Sequence, residues 1–267
     1  MTIDLARLLD IATLAALAGG TELKRFWGNL QEVQEKGRPG DLVTEADRAA
    51  EKAVLQVLHR HVPDHAILSE EAGALGDLSG KFLWAIDPLD GTTNYAHQYP
   101  FFAVSVGLLI AGVPQVGVVY NPIYDELYQA ATGMGATLNQ QPIQVSAVQE
   151  LSKSLLVTGF AYDRTQTTDT NYPEFCHFTH KTQGVRRDGA ASLDLAYVAA
   201  GRVEAYWERG LSPWDQVAGI VLVQEAGGKV SSYDGNVLDL QSGRILASNG
   251  HLHGVISQEL LQVTATR

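Results

Sequence analysis

Cysteine is almost absent: Cys176 is the only one. That excludes an intramolecular disulfide and leaves no thiolate set for a structural zinc site. Long apolar runs are missing as well. The segment Leu5 to Ala18 is interrupted by Arg7 and Asp10, and no stretch reaches the roughly 20 apolar residues of a membrane-spanning helix. The opening Met1-Thr2-Ile3-Asp4 has no positive n-region of a signal peptide, so a cytoplasmic protein is expected. Positive charge is scarce too, with 19 Lys and Arg against 30 Asp and Glu, for a net charge of −11. Such a surface repels nucleic acid and anionic lipid, and neither is expected as a partner. What is present is an ordinary globular composition, 45% hydrophobic and 18% charged, in a chain long enough for one domain or two.

Apolar periodicity organises the chain. Leu5, Leu8, Leu9, Ala12, Ala15 and Ala16 recur at helical spacing, so residues 2–27 read as a helix loosened by Gly19-Gly20. Gly37-Arg38-Pro39-Gly40-Asp41 is a loop, with Lys36 at its entrance. Thr44-Glu45-Ala46-Asp47 opens a second helix as a capping box, which by itself accounts for Asp47. His59, His61 and His65 follow no ligand spacing and read as solvated or dipole-facing side chains. Ala66 to Leu68 reads as a short strand before Glu70-Glu71, of which an extended chain would point at most one into a common site.

Lys81 to Ile86 is a buried strand by length and apolarity, and Asp87-Pro88-Leu89-Asp90-Gly91-Thr92-Thr93-Asn94 follows it. Asp87 and Asp90 are placed where the strand gives way to a turn. Carboxylates are hard ligands suited to Mg²⁺, and free N–H groups after Gly91 suit a phosphate if a helix starts there. Asp-Pro and Asp-Gly are equally ordinary turn dipeptides, so the stretch alone leaves both readings open.

Phe102 to Ile110, Gln115 to Tyr120, Glu126 to Ala131 and Ala136 to Leu138 are strand-like runs divided by tight turns, which predicts an antiparallel sheet. Beyond Gln149 to Ser154, the one plausible subdomain boundary, strands are expected at Ser154 to Phe160, Gly184 to Arg187, Val203 to Trp207, Lys229 to Tyr233, Val237 to Leu240 and Ile245 to Ala247. Helices are expected at Pro173 to Thr182, Ser192 to Ala200, Val217 to Glu225 and His251 to Val263. Asp215, just after Pro213, falls near a helix N-terminus, where it could serve only as a cap. Strands and helices without strict βαβ alternation favour a layered α+β sandwich. The expected division is an N-terminal subdomain, 1–150, carrying most of the acids, and a C-terminal one, 151–267, completing the site.

Three separated motifs together resemble the inositol monophosphatase family: Glu70-Glu71 before a glycine, Trp84 to Thr93 as an Asp-Pro-x-Asp-Gly-Thr signature, and Trp214-Asp215 with Ala218-Gly219 followed by Glu225-Ala226-Gly227-Gly228. Their order over about 160 residues carries the resemblance, which runs through nearly the whole chain. It implies an αβαβα sandwich with a large, mostly antiparallel sheet and a second smaller one, usually as a homodimer. It implies Mg²⁺-dependent hydrolysis of a small phosphorylated polyol, with inhibition by lithium. By motif position Glu70, Asp87 and the Leu89 carbonyl resemble ligands of a first metal, and Asp87, Asp90 and Asp215 those of a second; a third ion would use Glu70 and water. Thr92, paired with Glu70 and backed by Asp47, resembles the group that orients the attacking water, and the amides of Gly91 and Thr92 the phosphate contacts. Glu208 and the backbone of Gly189, Ala190 and Ala191 fall where the family binds the alcohol. Many relatives carry Ser or Thr in place of Ala190, so a hydroxyl contact is absent. Arg186 and Arg187 are open between a salt bridge and a contact to a second phosphate. Inositol monophosphate is the expected substrate; histidinol phosphate, fructose 1,6-bisphosphate and a nucleotide 3′,5′-bisphosphate are alternatives, and a phosphate- or metal-responsive binding protein is the non-enzymatic one.

Overall fold

The computed structural model describes residues 3–38 and 40–265. Helix α1 (Leu5–Phe26) buries the stripe from Leu8 to Leu23, including Gly19 and Gly20. A Cβ on Gly19 would meet Val54, and one on Gly20 would enter the Tyr120 ring. The glycines that weaken the helix as a helix therefore let it lie close to its neighbours. A small hairpin, β1 (Val33–Glu35) and β2 (Leu42–Thr44), leads into α2 (Glu45–His61), which packs along α1.

The first large sheet comprises β3 (Ala66–Ser69), β4 (Gly73–Leu75), β5 (Phe82–Asp90), β6 (Ala103–Ile110), β7 (Val113–Asn121), β8 (Glu126–Ala131), β9 (Ala136–Leu138) and β10 (Gln141–Ile143), with the one-turn helix α3 (Thr92–Ala96) between β5 and β6. Its spatial order is β10-β9-β8-β7-β6-β5-β3-β4, and only the β3–β5 pair is parallel. The second sheet draws on β11 (Leu155–Thr158), β12 (Gly184–Arg186), β13 (Ala205–Glu208), β14 (Lys229–Ser231) and β15 (Ile245–Ser248), in the order β12-β11-β13-β15-β14. Helices α4 (Tyr172–Thr179), α5 (Ala191–Ala199), α6 (Pro213–Glu225) and α7 (His253–Ala265) complete the chain.

These elements stack as five layers. Helices α1 and α2 cover one face of the eight-stranded sheet, α5 and α6 fill the space between the sheets, and α4 and α7 cover the far face of the second sheet. The expected αβαβα sandwich with a mostly antiparallel large sheet is what forms. Close approach of α6 to the large sheet has a specific cause: Gly107 and Gly117 are cross-strand partners in β6 and β7, and a Cβ on either would collide with Val217 or Ala218 of α6. Two glycines facing one helix make a trough that lets α6 lie close against the sheet at Val217 and Ala218.

Three expectations about local structure are corrected. Strand β5 does not stop at Ile86 but continues through Asp90. Val237 to Leu240 is not a strand; Val237 is 94% exposed, so the alternating pattern there has no face to bury. His65 is not a free surface side chain: it is half-buried, its Nδ1 accepts a hydrogen bond from Trp84 Nε1 at 3.1 Å and its ring stacks on Phe82.

Candidate active site

In a regular strand, residues three apart point to opposite faces. Asp87 and Asp90 nevertheless line the same cavity, because the pairing of β5 with β6 shifts register between them. An irregularity of this kind re-aims a side chain without ending the strand. Gly91 then turns the chain at φ 94, and α3 starts at Thr92. Gly91 has a second reason to lack a Cβ, since one would press on Phe101 O and Ala190 Cβ.

The remaining walls come from strand ends. Ser69 of β3 pairs in parallel with Ile86 of β5, so Glu70 emerges beside Asp87. Glu208 ends β13, and Gly159 follows β11 directly against it; a Cβ on Gly159 would occupy the Glu208 carboxylate. Asp215 sits in the first turn of α6, where its Oδ2 accepts the Ser212 N–H at 2.7 Å. All of these border one cavity of about 240 Å³, together with Leu89, Thr92, Gly189, Ala191, Arg38, Tyr162 and Arg187.

Converging acids raise one another's proton affinity. Burial, then Glu70, Asp90 and Asp215, lift Asp87 well above the ordinary carboxylate range. Burial, then Asp90 and Glu70, do the same to Asp215. Asp90 is pushed up to about 6 by burial, opposed by the hydrogen bonds of Ser192. Glu208, which accepts the Tyr206 hydroxyl at 2.6 Å, is pushed up to about 7, again chiefly by burial. Among the described residues the cation in direct contact with the cluster is Lys36, whose Nζ donates to Glu70 Oε1 at 2.8 Å and also pairs with Glu71. As the side chains stand, no three acids among the described residues enclose a metal ion. Their existing partners explain this: Lys36 holds Glu70, Ser192 holds Asp90, and the Leu89 N–H holds Asp87 at 2.9 Å. The donor set nevertheless fits a divalent hard cation, being all oxygen, buried and mutually repelling until positive charge arrives.

Behind this cluster, Thr92 Oγ1 lies 3.0 Å from Asp47 Oδ1 and 3.0 Å from the Leu89 carbonyl. Asp47 Oδ2 accepts the Thr44 N–H at 2.7 Å and the Thr44 hydroxyl at 2.6 Å. Asp47 therefore both caps α2 and receives Thr92. Burial, only partly offset by Thr44, lifts it to about 6.

A family model described as the inositol monophosphatase family matches residues 4–265. The chain belongs to the inositol monophosphatase family. It is 62% identical over 257 residues to inositol-1-monophosphatase of Synechocystis sp., covering 96% of this chain and 90% of that protein. Nus factor SuhB of Pseudomonas aeruginosa is 45% identical over 248 residues, covering 91% of each. Among solved structures, inositol monophosphatase from Anabaena superposes with a TM-score of 0.91 at 59% identity over 97% of both chains.

Within this family member, the residues singled out by motif come together, with two displacements. Asp47 stands behind the cavity, in the place expected of it. Ala190 does not line the cavity; it is buried against Gly91, and only its neighbours Gly189 and Ala191 border the open space. Thr92 is hydrogen-bonded to Asp47 and the Leu89 carbonyl, whereas Glu70 is engaged by Lys36. Glu70 borders the cavity and Glu71 does not, as expected of adjacent residues, although both carboxylates pair with that lysine. Neither Arg186 nor Arg187 forms an ion pair among the described residues, and Arg187 borders the cavity.

Sequence reasoning missed Lys36 and Ser192. Lys36 stood at the mouth of a polar loop, with no spacing to tie it to Glu70, 34 residues later. Ser192 reads as a helix-start residue serving its own helix, and nothing local reveals that its hydroxyl serves Asp90.

Proposed function

We propose that this protein hydrolyses a small phosphate monoester, inositol monophosphate before others, with Mg²⁺ held by the buried acids. The supporting observation is the meeting of Asp87, Asp90 and Asp215 with Glu70 in one cavity beside the start of α3. Four carboxylates carry the charge of two divalent ions, and a third ion would offset a phosphate dianion. Glu70, Asp87, Asp90, Asp215 and the Leu89 carbonyl are the groups that would hold them. Bound Mg²⁺ supplies charge neutralisation at the phosphoryl oxygens, acidifies water and stabilises the leaving alkoxide.

The chain's own groups do the rest. Asp47 Oδ1 draws the Thr92 hydroxyl proton, which leaves the Thr92 oxygen lone pairs to accept from a water in the cavity and aim it. The amides that open α3 have no helical acceptor and can meet phosphoryl oxygens. Glu208, fixed by the Tyr206 hydroxyl, accepts hydroxyl protons of the polyol, and Gly189 and Ala191 offer backbone groups beside it. Water attacks phosphorus, the bond to the alcohol oxygen breaks, and phosphate and the free polyol leave; no covalent enzyme intermediate is needed.

This reading includes lithium inhibition, a homodimer and a cytoplasmic setting, as the family resemblance implies, with residues 1–150 and 151–267 as the two halves that close on the site. Among the described residues no helix is long and apolar enough to cross a membrane. The test is phosphate release by purified protein with Mg²⁺ from inositol 1-phosphate, histidinol phosphate, fructose 1,6-bisphosphate and adenosine 3′,5′-bisphosphate. Inositol 1-phosphate should be turned over with the highest kcat/KM. If none is hydrolysed while Mg²⁺ still raises the melting temperature, the binding-protein alternative replaces this reading.

A further inference from the structure

A second cavity, of about 340 Å³, opens at the far end of β5 from the acids. Phe82 begins the strand and Asp90 ends it, so at the usual strand rise the two sites are roughly 26 Å apart. Leu8, Val62 and Phe82 give this cavity an apolar floor, and Arg7 and Lys81 stand on its rim with a single acid, Asp4. Asp4 is already used: its Oδ1 accepts the Arg7 N–H at 3.0 Å as the cap of α1. Among the described residues neither the Arg7 guanidinium nor the Lys81 ammonium forms an ion pair. In a chain with 30 acids to 19 basic residues, two cations without an acid partner beside an apolar hollow stand out; Lys81 Nζ lies over the Phe82 ring, 5.5 Å from its centroid.

His65 supplies a directed donor. Trp84 Nε1–H donates to its Nδ1 at 3.1 Å, so in the neutral ring the proton resides on Nε2. Its ring lies flat on Phe82, with centroids 4.3 Å apart and planes 4° from parallel. Orientation and tautomer are thus both set, and Nε2–H is the ring donor left for a ligand. Asp64, next in sequence, does not line the cavity.

We infer that this cavity binds a planar aromatic monoanion. The apolar floor takes a ring, and Arg7, Lys81 and His65 Nε2–H take the anionic group. Two rim cations outnumber the one lining acid, and Asp64, whose charge reaches His65, limits that excess, which suits a monoanion better than a polyanion. The volume lies near the lower end of small-molecule sites, enough for one ring or two fused rings.

Naphthalene-1-sulfonate is the probe, titrated into the full-length protein by calorimetry, with the His65 ring resonances followed by NMR. Saturable binding with Kd on the order of 0.1–1 mM is expected, accompanied by a shift of those resonances. Arg7→Gln and Lys81→Gln, both exposed side chains whose loss leaves the core untouched, should each weaken it roughly fivefold while phosphate release stays at the wild-type level. Neutral 1-naphthalenemethanol should bind more weakly than the sulfonate. Absence of saturation by about 10 mM, equal affinity in both variants, equal affinity for the neutral alcohol, or competition with inositol 1-phosphate would each overturn the assignment.

Discussion

Asp90 Oδ2 accepts both the N–H and the hydroxyl of Ser192, 102 residues away, at 2.7 and 2.6 Å. Its Oδ1 accepts the Ala191 N–H at 3.2 Å. The last residue of β5 is therefore also the cap of α5, and the helix's positive end stabilises its charge. Asp90→Asn is expected to abolish nearly all phosphate release, while its lost cap is offset by relief of the repulsion with Glu70. Ser192→Ala removes only the hydroxyl contact, so it should cost about 1 kcal/mol and leave measurable turnover. Urea denaturation beside a phosphate assay separates the two effects; an unfolding midpoint for Ser192→Ala equal to wild type contradicts the capping role.

Lys36 occupies Glu70 and Glu71 as an internal cation. Their carboxylates, Glu70 first, hold the lysine charged far above its usual range despite burial. A divalent ion reaching Glu70 must displace this contact. Lys36→Met should accordingly lower the Mg²⁺ concentration needed for half of the thermal stabilisation by roughly threefold or more. A melting-temperature titration reads this directly, and a rightward shift of the curve would contradict the displacement.

Gly159 is the residue over which the Glu208 carboxylate lies. Gly159→Ala should push that carboxylate aside while leaving the acids of β5 untouched. Steady-state kinetics on inositol 1-phosphate are expected to show KM raised roughly tenfold, with kcat within about twofold of wild type. A fall in kcat at constant KM would remove Glu208 from alcohol binding.

His253 is buried between two serines. Its Nε2 meets Ser231 Oγ at 2.7 Å and its Nδ1 meets Ser248 Oγ at 2.8 Å. Ser231 Oγ donates to the Ser232 carbonyl and Ser248 Oγ receives the Gly250 N–H, so Nε2–H donates and Nδ1 accepts. Only the neutral ring fits this pattern. Burial, then Lys229, lowers its pKa from 6.5 to about 4. The unfolded chain takes up a proton below the ordinary histidine range and the folded one does not until about 4. Stability contributed here is complete above pH 6.5 and is lost as the pH falls from there to about 4. Denaturation midpoints of His253→Asn should lack this fraction of the acid-side slope; an identical slope would place the proton uptake elsewhere.

How much was legible beforehand varies by element. Strand β6 was readable as a continuous apolar run bounded by a turn, and helix α2 by its cap and regular helical period. The bulge between Asp87 and Asp90 was not, because register is set by the partner strand; a strand ending at Ile86 was the simpler reading. Val237 to Leu240 shows the reverse error: its residues suit a strand, but no surface arrives to cover them.

The sequence by itself determined the residue types of the site, the order of its motifs and the layered fold, since these follow from chemistry and periodicity along the chain. The packing of separate elements decided the pairings. It brought Lys36 to Glu70 and Ser192 to Asp90, moved Ala190 behind Gly91, and seated Asp215 through the Gly107–Gly117 trough under α6. Each is a contact between residues tens of positions apart, and a hydrogen bond or a close approach across that separation leaves no mark in local spacing.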